Sequence, residues 1–79
     1  MSLTKDEEEY IKQLGKRIVA LRNEKKLKQI ELAAKVNIED SALRRIESGR
    51  TNPTVKTLLR IAEGLEIDFL ELFDFSRNS

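Results

Sequence analysis

Neither cysteine nor histidine occurs among the seventy-nine residues. The missing thiols exclude disulfides, thiolate nucleophiles and zinc fingers, and they fit a reducing, cytoplasmic setting. Without Cys or His the usual nucleophile and base pairs of enzymes are missing. Glycine is scarce, with three in all, and no Gly-rich loop is present to cradle a phosphate. No apolar run approaches the roughly 18 residues of a membrane span, and no signal-peptide core follows the acidic start. Carboxylates do cluster, at Glu7 to Glu9, at Glu39 and Asp40, and at Glu71 and Asp74. They fall at expected helix starts or on solvated faces, where capping explains them better than acid–base catalysis. No enzyme activity, cofactor, metal site, small-molecule ligand or membrane contact is therefore expected.

Seventy-nine residues allow one domain, spanning 1–79. A chain this short buries only about 60% of the surface its unfolded form exposes, so the core is small and a second copy would add stability. The net charge of +1 hides a partition. Residues 1–15 carry two lysines and four acids, residues 16–60 twelve basic residues against five acids, and residues 61–79 one arginine and five acids. A centre of net +7 between ends of −2 and −4 suits a surface facing DNA. The plainer reading of the same partition is a set of solvated helix faces.

What is present is organised around Gln29 to Ser48, QIELAAKVNIEDSALRRIES. Leu32, Val36, Ile38, Leu43 and Ile46 trace one face of a helix, a break, then one face of a second helix. Asn37, at the break, enters the left-handed conformation at low cost. Ala33, four residues earlier, lets the two helices approach. Small residue, tight turn and returning apolar face make the pattern of a helix-turn-helix. Upstream, the spacing predicts a first helix from about Lys5 to Glu24, opened by Thr4 and Glu7 at capping-box spacing and carrying Ile11, Leu14, Ile18 and Leu21 on one face. Gly15 interrupts it at a cost of about 1 kcal/mol relative to Ala. Helix 2 is expected from about Gln29 to Val36 and helix 3 from about Asp40 to Ser48, ended by a left-handed Gly49. Arg50 to Pro53 reads as a loop, after which Thr54 caps helix 4, with a buried stripe expected at Val55, Leu58, Leu59, Ala62 and Leu65. Asp68, with Glu71 three residues on, should cap helix 5, whose Phe69, Leu72 and Phe73 fold back on the core. Residues 76–79 read as a disordered tail. The fold class expected is all-α, a compact bundle of five helices.

From about Leu14 to Phe73, through LGKRIVALRNEKKLKQIELAAKVNIEDSALRRIESGRTNPTVKTLLRIAEGLEIDFLELF, the chain resembles the Cro and phage-repressor type (XRE-like) of helix-turn-helix regulators. The resemblance implies a lambda-repressor-like bundle in which helices 2 and 3 form the helix-turn-helix. Family members commonly begin helix 1 near the position of Gly15, which makes residues 1–13 a helical N-terminal extension. They usually carry Gly where Lys26 and Glu66 stand, and a hydroxyl cap where Lys28 stands. The changes at Lys26 and Lys28 should weaken the first turn slightly.

A recognition helix presents its N-terminal residues to base edges in the major groove while helix 2 crosses the backbone. With Leu43 and Ile46 inward, Asp40, Ser41, Arg44 and Arg45 share the outer face, and the matching family positions carry base or phosphate contacts. Arg bridges guanine O6 and N7, Asp accepts from cytosine N4, and Ser serves either base class. The resemblance also implies a phosphate contact at Gln29, through its amide and the adjacent backbone N–H, and further ones at Arg50, Thr51, Asn52 and Lys56. Lys28 adds a charge within reach of a phosphate. Glu39, counted among the phosphate-side candidates, and Asp40 bring negative charge to the same place, which costs affinity unless Asp40 reads a cytosine or Glu39 turns aside to cap. Arg22 and Glu47 match the places of an Arg–Glu ion pair in family members. Leu70 falls where the family usually has a polar residue, and with Phe73 and Phe75 it would leave an apolar patch for a second copy to cover. Alternatively, Phe73 and Phe75 simply close the small core.

The function expected is that of a dimeric, sequence-specific regulator of transcription, a repressor or controller, bound to double-stranded DNA at a palindromic operator with half-sites about one helical turn apart. Small stand-alone members of the family include restriction–modification controllers, phage-type repressors and antitoxins, and the residues do not choose among them. The rival reading is a protein–protein interaction module of the same fold that has lost DNA binding, using the acidic first helix or the Phe-rich end as its contact surface.

Overall fold

Thr4 and Glu7 open the first helix with a reciprocal capping box: the Thr4 hydroxyl accepts the Glu7 N–H at 3.1 Å and the Glu7 carboxylate accepts the Thr4 N–H at 2.8 Å. From there the computed structural model, which describes residues 3–77, runs through α1 (Lys5–Glu24), α2 (Gln29–Lys35), α3 (Asp40–Glu47) and α4 (Val55–Leu65). No strand occurs among the described residues. Helices α2 and α3 end one residue earlier than the sequence pattern suggests, with Val36 and Ser48 as their C-cap residues.

The fifth helix is not an α-helix. Phe69–Phe73 forms a 3-10 turn, followed by a second short one over Phe75–Arg77. Two features explain the difference. In an α-helix the Glu71 carbonyl would accept the N–H four residues on, but here it accepts that of Asp74, three residues on, at 3.4 Å, and Arg17 Nε from α1 at 2.7 Å. Asp74 then leaves helical geometry altogether, with φ −83° and ψ 76°. A segment of five residues suits the tighter 3-10 form, which is used in short pieces. Asp68 stands at the N-cap without a side-chain cap bond, while the Glu71 carboxylate accepts the Asp68 N–H at 3.2 Å. Of the tail from 76 to 79, the second turn takes in Ser76 and Arg77, and Asn78 and Ser79 lie outside the described residues.

The core gathers Leu14, Ile18 and Leu21 from α1, Leu32 and Ala33 from α2, Leu43 and Ile46 from α3, and Leu72 from the 3-10 turn. From α4 it takes Leu58, Ile61, Ala62 and Leu65. That set has i, i+3, i+4, i+7 spacing, so the expected stripe is corrected. Leu59, exposed at 49%, lies about 100° around the helix from Leu58, and Val55, exposed at 64%, is the first residue of α4, one turn before the buried stripe begins.

Among the described residues, three non-glycine residues, Lys26, Asn37 and Glu66, have left-handed φ near 58°, and Gly49 has φ 75°. Asn37 and Gly49 are suited to that conformation, whereas Lys26 and Glu66 each bear a cost of about 1 kcal/mol or more. Gly15 has a different reason. A Cβ at that position would stand 2.5 Å from the Glu47 carbonyl oxygen and 2.6 Å from that of Ile46, so α1 and α3 meet backbone to backbone there.

Candidate nucleic-acid interface

The face of α3 follows from its own sequence. Leu43 and Ile46 are buried in the core, which turns Arg44 and Arg45 outward and leaves Asp40 and Ser41 half-buried at the first turn. Asp40 Oδ2 lies 3.7 Å from Arg44 Nη2 in an i, i+4 pair whose side chains are both about half exposed. Such a pair contributes only a few tenths of a kcal/mol to stability. Its electrostatic effect is larger, since it offsets one of the two negative charges at the head of the helix. Glu39 holds the N-cap position with extended backbone, but its carboxylate makes no cap hydrogen bond. The capping role open to it is not taken.

At the other end of α3 the chain folds back on itself. The Arg45 carbonyl accepts the Arg50 N–H at 2.9 Å and the Ser48 hydroxyl at 3.1 Å, while Arg50 Nε donates to Ser48 Oγ at 3.0 Å. Arg45 also borders a hollow with Ala42, Thr51, Asn52 and Thr57. The exposed Arg45 side chain, Arg50 and the loop residues Thr51 and Asn52 are thus brought together. Lys56 stands exposed in the first turn of α4, whose start is fixed by the Thr54 hydroxyl accepting the Thr57 N–H at 3.1 Å.

Beneath this surface lies the Arg22–Glu47 pair. Arg22 Nε and Nη2 donate to the two Glu47 oxygens at 2.8 and 3.1 Å, and Arg22 Nη1 donates to the Leu27 carbonyl at 2.9 Å. The side chains are only 14% and 5% exposed, so this is a buried bidentate pair tying α1 to α3. Glu47 Oε1 takes a third donor, Gln29 Nε2, at 2.8 Å. The Gln29 amide is therefore tied to the core pair, and it keeps one N–H for another acceptor. Lys28 precedes it at the N-cap of α2; lysine has no side-chain acceptor, and the Glu31 carboxylate instead accepts the Lys28 N–H at 2.7 Å.

Some features escaped the sequence pattern. Arg17 is buried at 2% exposure. It flanks the Leu14, Ile18, Leu21 stripe, where a charged residue reads as solvated, and its acceptor lies 54 positions downstream. Tyr10, beyond the resemblance, is exposed at 66% and its ring centroid lies 6.1 Å from that of Phe75. Of the expected apolar patch, Leu70 and Phe73 are exposed, at 73% and 42%, while Phe75 is half-buried against the core. No helix among the described residues is long and apolar enough to cross a membrane.

The chain is similar to known proteins in sequence and in fold. The chain is 46% identical over 54 residues to the immunity repressor protein of Bacillus phage phi105, covering 68% of this chain and 38% of that protein. It is 39% identical over 61 residues to the uncharacterized HTH-type transcriptional regulator y4dJ of Sinorhizobium fredii, covering 77% and 79% of the two chains. In structure it is similar to the restriction-modification controller protein C.AhdI from Aeromonas hydrophila, with TM-score 0.79 and 32% identity over 80% of this chain and 96% of that one. The helix-turn-helix family profile matches residues 18–72, from the middle of α1 to the 3-10 turn. The two helices joined at Asn37, the exposed outer face of α3 and a profile spanning most of the chain converge: the chain belongs to the helix-turn-helix family of transcriptional regulators, of Cro and phage-repressor type.

Proposed function

We propose that this chain is a sequence-specific regulator that binds double-stranded DNA as a homodimer on a palindromic operator. The observation that carries this reading is the outer face of α3, where Asp40, Ser41, Arg44 and Arg45 stand opposite the buried Leu43 and Ile46. In the major groove, Arg45 and Arg44 are the candidates for guanine, Asp40 for cytosine and Ser41 for either base class. Lys28, Gln29, Arg50, Thr51, Asn52 and Lys56 are the candidate phosphate contacts that set register. Glu39 borders the same backbone, where its free carboxylate lowers affinity. The reading is of a cytoplasmic repressor or controller without cofactor or catalytic function; the names of an immunity repressor and a restriction-modification controller among its relatives support it.

Dimerisation rests on the other side of the argument. Leu70 and Phe73 are exposed beside a row of rings, with centroid separations of 5.4 Å for Phe69–Phe73, 6.4 Å for Phe73–Phe75 and 6.1 Å for Tyr10–Phe75. A second copy covering this patch by two-fold symmetry matches a palindromic site. Footprinting on the DNA upstream of the chain's own reading frame tests the proposal. Two protected half-sites about one helical turn apart are expected. Absence of salt-dependent binding to any duplex would favour the interaction module instead.

A further inference from the structure

Gly49 is the left-handed residue that closes α3, and α1 lies directly over it. A Cβ on Gly49 would stand 2.8 Å from Lys12 Cγ and 3.0 Å from Lys12 Cα. The Lys12 stem therefore crosses the C-terminal end of the recognition helix, and its side chain is exposed there. Arg50 occupies the same end, its guanidinium held over α3 by the bond from Nε to Ser48 Oγ at 3.0 Å. Among the described residues neither cation has a carboxylate within ion-pair distance. This is notable for Lys12, because Glu8 stands four residues before it, the spacing at which a helical ion pair forms readily.

We propose that Lys12 is a DNA phosphate contact which, together with Arg50, extends the interface beyond the C-terminal end of α3. The proposal rests on the DNA-binding reading above and adds a residue to it from a part of the chain outside the family profile, which begins at residue 18. Two unpaired cations converging on one helix end give a local positive charge, and the nearby Glu47 carboxylate is already neutralised by Arg22. The polyanion that the same helix is read to dock against supplies the complementary charge. Lys12 thereby gives the first turns of α1 a role on DNA. The plainer account is that both cations only complement the negative end of the α3 dipole. The two accounts differ in what they do to DNA.

Lys12→Gln keeps most of the stem over Gly49 and removes the charge; Lys5→Gln, at the exposed start of the same helix, is the control. The probe is a mixed-sequence 20-base-pair duplex, because phosphate contacts act on any sequence. Affinity is measured for wild type and both variants across a salt series. The proposal expects the slope of log K against log salt to become shallower by about 0.9 in Lys12→Gln. Lys5→Gln should keep the wild-type slope, and the melting midpoint of Lys12→Gln should stay close to that of wild type. A wild-type slope in Lys12→Gln, or equal reductions in the two variants, overturns the contact while leaving the DNA-binding reading in place. Failure of the wild-type chain to bind the duplex at any salt concentration overturns both.

Discussion

Glu47 is where single residues decide the most. One buried carboxylate receives two bonds from Arg22 and one from Gln29, and thereby joins α1, α2 and α3. An exposed pair of this kind would contribute about 0–1 kcal/mol, whereas removing one partner of a buried pair strands the other charge and costs roughly 3–5 kcal/mol. At 14% and 5% side-chain exposure the second regime applies. Urea melts of Glu47→Ala should therefore show a loss of about 3–5 kcal/mol; a loss below about 1 kcal/mol would place the pair effectively in solvent. The pair was legible only through resemblance, since no periodicity links positions 22 and 47. Gln29 as its third member was not legible at all. A glutamine opening a helix advertises its free amide, and nothing local announces that a carboxylate eighteen residues later will hold it.

Among elements, α1 and α3 show how a rule can be right about one helix and wrong about a pair. Propensity alone says that Gly15→Ala should stabilise α1 by about 1 kcal/mol. The carbonyl oxygens of Ile46 and Glu47, 2.6 and 2.5 Å from the new Cβ, reverse the sign, because these are backbone atoms with no rotamer to yield. Thermal or urea denaturation should show Gly15→Ala less stable by about 1–3 kcal/mol, the usual range for overpacking. A gain would mean that α1 slides away from α3 at no cost. The sequence carried the helix positions well because the caps are local: Thr4, Thr54 and Gly49 act within a few residues of themselves. It misjudged α4 and the segment after it for the opposite reason. Val55 and Leu59 are apolar by type, but which helix face is buried depends on α2 and the 3-10 turn. Likewise, the Phe69–Phe73 turn is tied at its Glu71 carbonyl to a guanidinium on α1, far away in the sequence.

For the whole molecule the exposed apolar residues bear on assembly. Leu70, Phe73 and Tyr10 are each more than two-fifths exposed, in a chain too small to hide them. If the proposed dimer uses this patch, Leu70→Glu should shift the sedimenting species from dimer to monomer without unfolding it, since Leu70 is 73% exposed and contributes little to the core. An unchanged dimer mass would move the interface elsewhere, with exposed Val55 and Leu59 of α4 as the next candidates. The basic centre and acidic ends were legible from the sequence because charge partition needs no fold. The surface that a partner copy would cover was legible only in part: Leu70 and Phe73 stand out, while Phe75 turns toward the core and Tyr10 joins from α1.

The same scale separates reading a sequence from holding on to it. If Arg45 reaches a guanine edge, Arg45→Ala should cost about 1–3 kcal/mol on the operator and relax the preference at one base pair. Binding to a scrambled duplex should fall much less, because that affinity comes from phosphates. Lys56→Ala should do the reverse, weakening binding to every sequence and reducing the salt slope by about one unit. Arg44 competes for the base, being one position and about 100° around α3. The structure separates the two arginines, because Arg44 already leans toward Asp40 at 3.7 Å whereas Arg45 has no carboxylate partner among the described residues. A guanidinium free of an internal partner gives up less on reaching DNA, but for an exposed pair at 3.7 Å the difference is only a few tenths of a kcal/mol, so both arginines stay candidates for the guanine. Titrations of both alanine variants on operator and scrambled duplexes at several salt concentrations decide the matter. Equal losses for Arg45→Ala on the two duplexes would make Arg45 a phosphate clamp and pass the reading role to Arg44 or Ser41.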